Sequence, residues 1–134
     1  MILATNGPTA STLHYGVDEE FNFYIVTSTT SEHGMSFSRN LNVACVITDT
    51  NQKMFETKYK SGVQVKGRIE QVSSIQLKQA LDIWSHNNQE MSDKFFKNMS
   101  EGKWSDKVFV IKPKEIKWFN EELYGDEGTE TFNF

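Results

Sequence analysis

The sequence predicts a mainly β domain of the α+β kind, in which about six antiparallel strands close into a barrel and short helices are inserted late. Three observations carry this. Apolar residues recur at every second position in several segments, a sustained helical period begins only at residue 73, and strands and helices do not alternate as a doubly wound parallel sheet requires.

Met1, Ile2, Leu3, Ala4 and Thr5 form a short apolar strand that ends at Asn6-Gly7-Pro8, a strong turn signal. Residues 9–15 then alternate, with Ser11, Leu13 and Tyr15 on one face and Thr12 and His14 on the other, so the pair reads as a β-hairpin. Residues 16–20 are polar and acidic and read as a second turn. Residues 21–28 are rich in aromatic and β-branched side chains and read as a strand. Residues 31–40 are polar around Met35 and Phe37 and contain Gly34, which limits them to one or two helical turns.

Residues 42–49 are nearly continuous in apolar side chains and predict a strand buried on both faces. A turn over 48–52 and an edge strand over 53–59 follow. The cleanest alternation lies at Val63, Val65, Gly67 and Ile69 against Gln64, Lys66, Arg68 and Glu70. Gly67 in mid-strand predicts a bulge or a close backbone approach. Ile75, Leu77, Ala80, Leu81 and Trp84 take up helical spacing, and Ser73 with Gln76 forms a capping box. Met91, Phe95, Phe96 and Met99 mark a second short helix that Gly102 ends; core packing accounts for both stripes. Residues 108–111 are the last clear strand; Pro113 either stops it or marks an edge, in which case residues 114–119 extend it. The expected organisation is one domain over 1–119 and an acidic, solvated tail over 120–134, where Glu121, Glu122, Asp126, Glu127 and Glu130 meet no base.

Composition narrows the function. With 134 residues the chain is large enough for its own core. A net charge of −4 with scattered bases argues against a nucleic-acid groove or an anionic membrane surface. The single cysteine, Cys45, allows no internal disulfide and reads as a small core residue. No apolar run approaches the ~20 residues of a membrane span, and the start lacks a basic region followed by a long apolar run, so a cytoplasmic address is expected. His14, His33 and His86 stand apart without ligand spacing, so no metal site is expected. There is no Gly-x-Ser-x-Gly elbow, Walker loop or Gly-x-Gly-x-x-Gly turn.

One constellation remains. Leu3-Ala4-Thr5, Gly7-Pro8 and Ala10-Ser11-Thr12 resemble the opening of the pyridoxamine 5′-phosphate oxidase-like FMN-binding split-barrel family. Phe23-Tyr24-Ile25-Val26-Thr27-Ser28 is similar to its aromatic strand, residues 31–46 to its short helix and next strand, and residues 62–70 to its most recognisable strand. Residues 108–118, with Lys112-Pro113-Lys114-Glu115-Ile116, are similar to its closing segment. The order holds from Met1 to about Phe119.

This resemblance implies a Greek-key split barrel, six-stranded and antiparallel, working as a homodimer with FMN in a cleft between the subunits. It places Ser11, Thr12 and Leu13 along the isoalloxazine and Thr27, Ser28, Ser31 and His33 near the phosphate. Gln64 and Lys66 would reach the flavin or the dimer seam. Many members carry Arg or Lys where this chain has Ser31 and His33. A phosphate dianion calls for positive charge, which His33 supplies only when protonated and which Arg39 or Lys66 can replace. Lys66 would also stabilise the reduced flavin anion, and His14 is a candidate acid or base if it faces the cleft. The Arg-rich C-terminus of the true oxidase has no match here, so that activity is not expected. The implied function is a flavin-dependent oxidoreductase of a small molecule; the alternative is a non-catalytic flavin or haem module, for which His14 or His33 would be the ligand.

Overall fold

Residues 1–7, 9–48, 59–89, 105–125 and 128–134 are described by a computed structural model. The hairpin predicted at the start is present: β1 (Ile2–Thr5) pairs with β2 (Thr9–Thr12), Leu3 opposite Ser11. β3 (Tyr15–Val17) then pairs with β4 (Phe23–Ser28). Gly16 and Val17, expected in a turn, are therefore strand residues. Helix α1 (Glu32–Phe37) is capped by the Ser31 hydroxyl, which accepts from the Gly34 N–H. β5 (Asn42–Thr48), β6 (Ser61–Gln71), α2 (Leu77–His86) and β7 (Asp106–Asn120) follow.

Residues 120–134 do not run on as a solvated end. Asn120 caps a single turn, α3 (Glu121–Tyr124), and β8 (Thr129–Asn133) pairs antiparallel with the second half of β7, Ile116 opposite Phe132. Every β8 residue is nonetheless exposed. Of the expected edge strand over 53–59, residues 53–58 lie outside the described residues and Tyr59 is in a bend; the second helix through Met91 and Met99 also lies outside them.

The strand order is β2-β1-β5-β6-β7-β4-β3, all antiparallel, with β8 beside β7. Its two ends, β2 and β3, are consecutive in the chain and joined only by Leu13 and His14. One bent segment thus forms both edges and brings the path back on itself, giving the mainly antiparallel split barrel with short helices that the sequence predicts. Leu3, Ile25, Cys45, Val65, Ile69 and Ile111 fill the interior and are almost fully buried. Burial pushes the Cys45 thiol up to about 12, so it is an inert core group as expected.

In β6 the predicted alternation holds: Val65, Gly67 and Ile69 face inward, Gln64, Lys66 and Arg68 outward. The irregularity expected at Gly67 is a bulge between Lys66 and Gly67, where Glu115 and Pro113 are the successive partners on β7. A Cβ at Gly67 would stand 2.6 Å from the Lys112 carbonyl oxygen.

Helix α2 covers one outer flank. Ala80, Leu81 and Trp84 pack on Val72, Val108 and Val110 as a second core. The expected capping box does not close: the Ser73 hydroxyl donates to the Gln76 side chain at 3.0 Å, the helix starts after Gln76, and Ile75 is left exposed. β5 departs further from expectation. Only Val43 and Cys45 are fully buried, while Ala44 and Val46 point outward and are exposed.

Candidate functional site

Two groups of the predicted residues are brought together. The first lies where β2 and β4, without a ladder between them, are bridged by the His33 imidazole of α1. Nδ1 is 3.0 Å from Ser11 Oγ, and Nε2 is 2.6 Å from Thr27 Oγ1 and 3.2 Å from Ser31 Oγ. Thr27 is buried, inward on β4. The network assigns the ring protons. Ser31 gives its one hydroxyl proton to the Ser28 carbonyl at 2.8 Å and accepts from the Gly34 N–H. It can then only accept from Nε2, so the neutral ring carries its hydrogen there, and Nδ1 accepts from the Ser11 hydroxyl. Ser28 Oγ is tied to Thr30 Oγ1 at 2.8 Å.

Burial pushes the His33 pKa below its ordinary value of 6.5, with the Glu32 carboxylate opposing. His33 is therefore a neutral hydrogen-bond bridge at pH 7, so the positive charge expected of it only when protonated is absent at that pH. This sets a sign for stability. The unfolded imidazole takes its proton near pH 6.5 and the folded one only lower, so folding stability contributed by His33 falls as pH drops below about 6.5. The expected result is a loss of melting temperature from pH 7.5 to 5.5 that is smaller in His33→Gln. An equal slope in the variant would remove His33 from this role.

The second group lies on the outer face of β2, β1, β5 and β6. Cross-strand register places Thr12, Ile2, Val46 and Gln64 in one row, and Ala10, Ala4, Ala44 and Lys66 in the next. All eight are exposed. The middle of this face is small and apolar, and its far side is polar, with Lys66 Nζ 2.7 Å from Glu115 Oε1 of β7. Among the described residues α1 touches β2 and β1, α2 lies over β3, β4 and β7, and neither covers the eight exposed residues of this face. Leu13 packs on the interior instead. Arg39 stands exposed just past α1. His14 is exposed between β2 and β3, and its carbonyl accepts from the Trp84 indole at 3.4 Å.

The groups meet at β2, where Ser11 turns inward to His33 and Thr12 outward to the open face. Sequence reasoning missed Ile2, Ala4, Ala10, Ala44 and Val46 as surface residues. The signal was the apolar run of β5, whose outward half is exposed in the lone chain. A larger recess, about 940 Å³, is elsewhere: Asp18, Glu19, Glu20, Glu70 and Asp82 make it acidic, and no predicted site residue lines it. Its acidity makes it unsuited to a phosphate-bearing cofactor. Among the described residues no His, Cys, Asp and Glu side chains gather to hold a metal ion, and no helix is long and apolar enough to cross a membrane.

An all-antiparallel sheet path whose two ends are consecutive in the chain gives this protein a split-barrel fold. Neither family models nor curated proteins match its sequence. Solved structures do match. A haem-binding protein from Mycobacterium smegmatis superposes with a TM-score of 0.71 at 16% identity, over 98% of this chain and 51% of its own. An FAD-binding protein from Mesorhizobium loti gives 0.66 at 15% identity, over 89% and 83%. A NimC/NimA family protein from Clostridium acetobutylicum gives 0.65 at 17% identity, over 99% and 83%. The neighbours include split barrels of the pyridoxamine-phosphate-oxidase-like type, and the likeness is one of fold. The chain spans about half the length of the haem-binding protein.

Proposed function

We propose that this chain belongs to the pyridoxamine 5′-phosphate oxidase-like family and is a flavin-dependent oxidoreductase of a small molecule, holding FMN on the open face of a homodimer. The observation that carries this reading is that face: a small-residue floor of Ala4, Ala10 and Ala44 beside Thr12, Gln64 and Lys66, bordered at β2 by the hydroxyl-rich edge around His33. A flat ring can lie against such a floor, and covering Ile2 and Val46 supplies the burial that draws a second copy over it. Flavin-binding and haem-binding neighbours of the same fold support a cofactor of this general type.

A bound flavin supplies the hydride or electron chemistry; residues of this chain hold and orient it. Gln64 and Lys66 present donors to the ring edge. Ser11, Thr27 and Ser31 are committed to His33 and shape the phosphate edge, so phosphate charge is met by Arg39 or Lys66, with Ser28 and Thr30 offering hydroxyls. Haem is the second reading. It is the weaker one here, because both His33 nitrogens are already engaged, which leaves only His14 as a ligand.

The test is the absorbance of purified protein. A yellow dimer whose flavin bands bleach on reduction and return in air is expected. A Soret band would favour haem, and a colourless protein that takes up neither added FMN nor haem would overturn the cofactor reading.

A further inference from the structure

The open face carries a recess of about 390 Å³ whose Lys114 and asparagine rim the flavin reading leaves unused. Its floor includes Ala4 and Ala44, and its rim carries Lys66 and Lys114. The bulge accounts for this pairing of lysines. In β7, Pro113 and Ile116 are buried, so the two residues between them, Lys114 and Glu115, face outward together opposite the single Lys66. Glu115 takes the Lys66 ammonium at 2.7 Å. Lys114 is exposed and has no ion-pair partner among the described residues. Two cations and one carboxylate leave the recess with one uncompensated positive charge.

The rest of the rim is amide. Asn40 Oδ1 accepts from the Asn42 N–H at 2.9 Å, which leaves the Asn40 NH₂ to donate outward. Asn6 and Asn42 also line the recess, and their side chains have no hydrogen-bond partner among the described residues. A charge excess of one, several N–H donors and a flat methyl floor match one chemical class.

We propose that this recess binds the carboxylate of a flat organic acid, with Lys114 as its principal cation, Asn40 as a neutral donor and the Ala4–Ala44 floor under its carbon body. Glu115 competes for Lys66 and so limits affinity. The recess shares Ala4, Ala44 and Lys66 with the proposed flavin floor, so an acid and a flavin would occupy that floor in turn; acid binding stands apart from the flavin reading and is tested without requiring flavin.

The experiment is a titration of isotope-labelled protein with benzoate, acetate and inorganic phosphate, followed by amide chemical shifts, with flavin content measured on the same sample. Saturable shifts at Asn6, Ala44 and Lys66 are expected, tightest with benzoate. Lys114→Gln should weaken benzoate about tenfold, the loss typical of one charged hydrogen bond, and Glu115→Gln should tighten it about threefold. Absence of saturation, equal affinity for all three anions, or an unchanged affinity in Lys114→Gln overturns the site. Lys114-dependent benzoate binding in a sample that holds no flavin and takes none up would keep this inference and remove the flavin reading.

Discussion

Replacing Val46 with Glu is expected to leave the monomer folded and to remove the proposed dimer together with its proposed flavin. Val46 stands on β5 between Ile2 and Gln64, and 36% of it is exposed in the lone chain. There a carboxylate remains hydrated, and the change costs no more than about 1 kcal/mol of β-propensity. Beneath a flavin and a second copy, the same carboxylate would be buried without a partner, at a cost of several kcal/mol. A loss of about 3 kcal/mol is a weakening of more than about 100-fold in association. Val46→Thr keeps the branched shape and should fall between the two. Sedimentation, flavin absorbance and melting temperature on the same preparation separate the effects. A Val46→Glu protein that stays dimeric and yellow would show that this face is not the site.

Trp84→Ala is expected to cost about 3–5 kcal/mol, the largest stability loss of any single change considered. Trp84 is 2% exposed and centres the cluster that joins α2 to Val72, Val108 and Val110. The cavity has little room to collapse, because α2 already lies against β3: a Cβ on Gly16 would sit 2.6 Å from the Ile83 carbonyl oxygen and 2.7 Å from Trp84 Cα. A lower denaturation midpoint at unchanged slope is the expected signature. A loss under about 1 kcal/mol would mean that α2 contributes little to the barrel.

Much of the barrel was legible because period-two patterning records which face of a strand is dry. Residues 63–70 and the Ser11–Leu13–Tyr15 face came through intact. The failures have separate causes. Gly16 and Val17 sit beside Asp18, Glu19 and Glu20, and local polarity hid a strand whose glycine is needed for contact with α2. β8 is short, polar but for Phe132, and exposed throughout, so its pairing with β7 rests on backbone hydrogen bonds that leave little hydrophobic trace. The site was half legible. Hydroxyl residues could be placed near one another by resemblance, but the neutral state of His33 depends on a bridge between β2 and β4 that only three dimensions supply. For the same reason the apolar outward half of β5 was read as buried: the sequence marks a surface for covering without saying by what.

The long strand β7 also governs how this protein can be made. It alone touches β4, β6 and β8, and it joins Phe23 to Ile111 and Ser61 to Asn120. A nascent chain can zip β1 to β2 or β5 to β6 early, but β4 waits for a mate encoded far downstream. Such non-local topology slows folding and leaves sticky half-sheets exposed on the ribosome until the spine emerges. Synthesis speed and chaperone supply are therefore expected to bear on its yield.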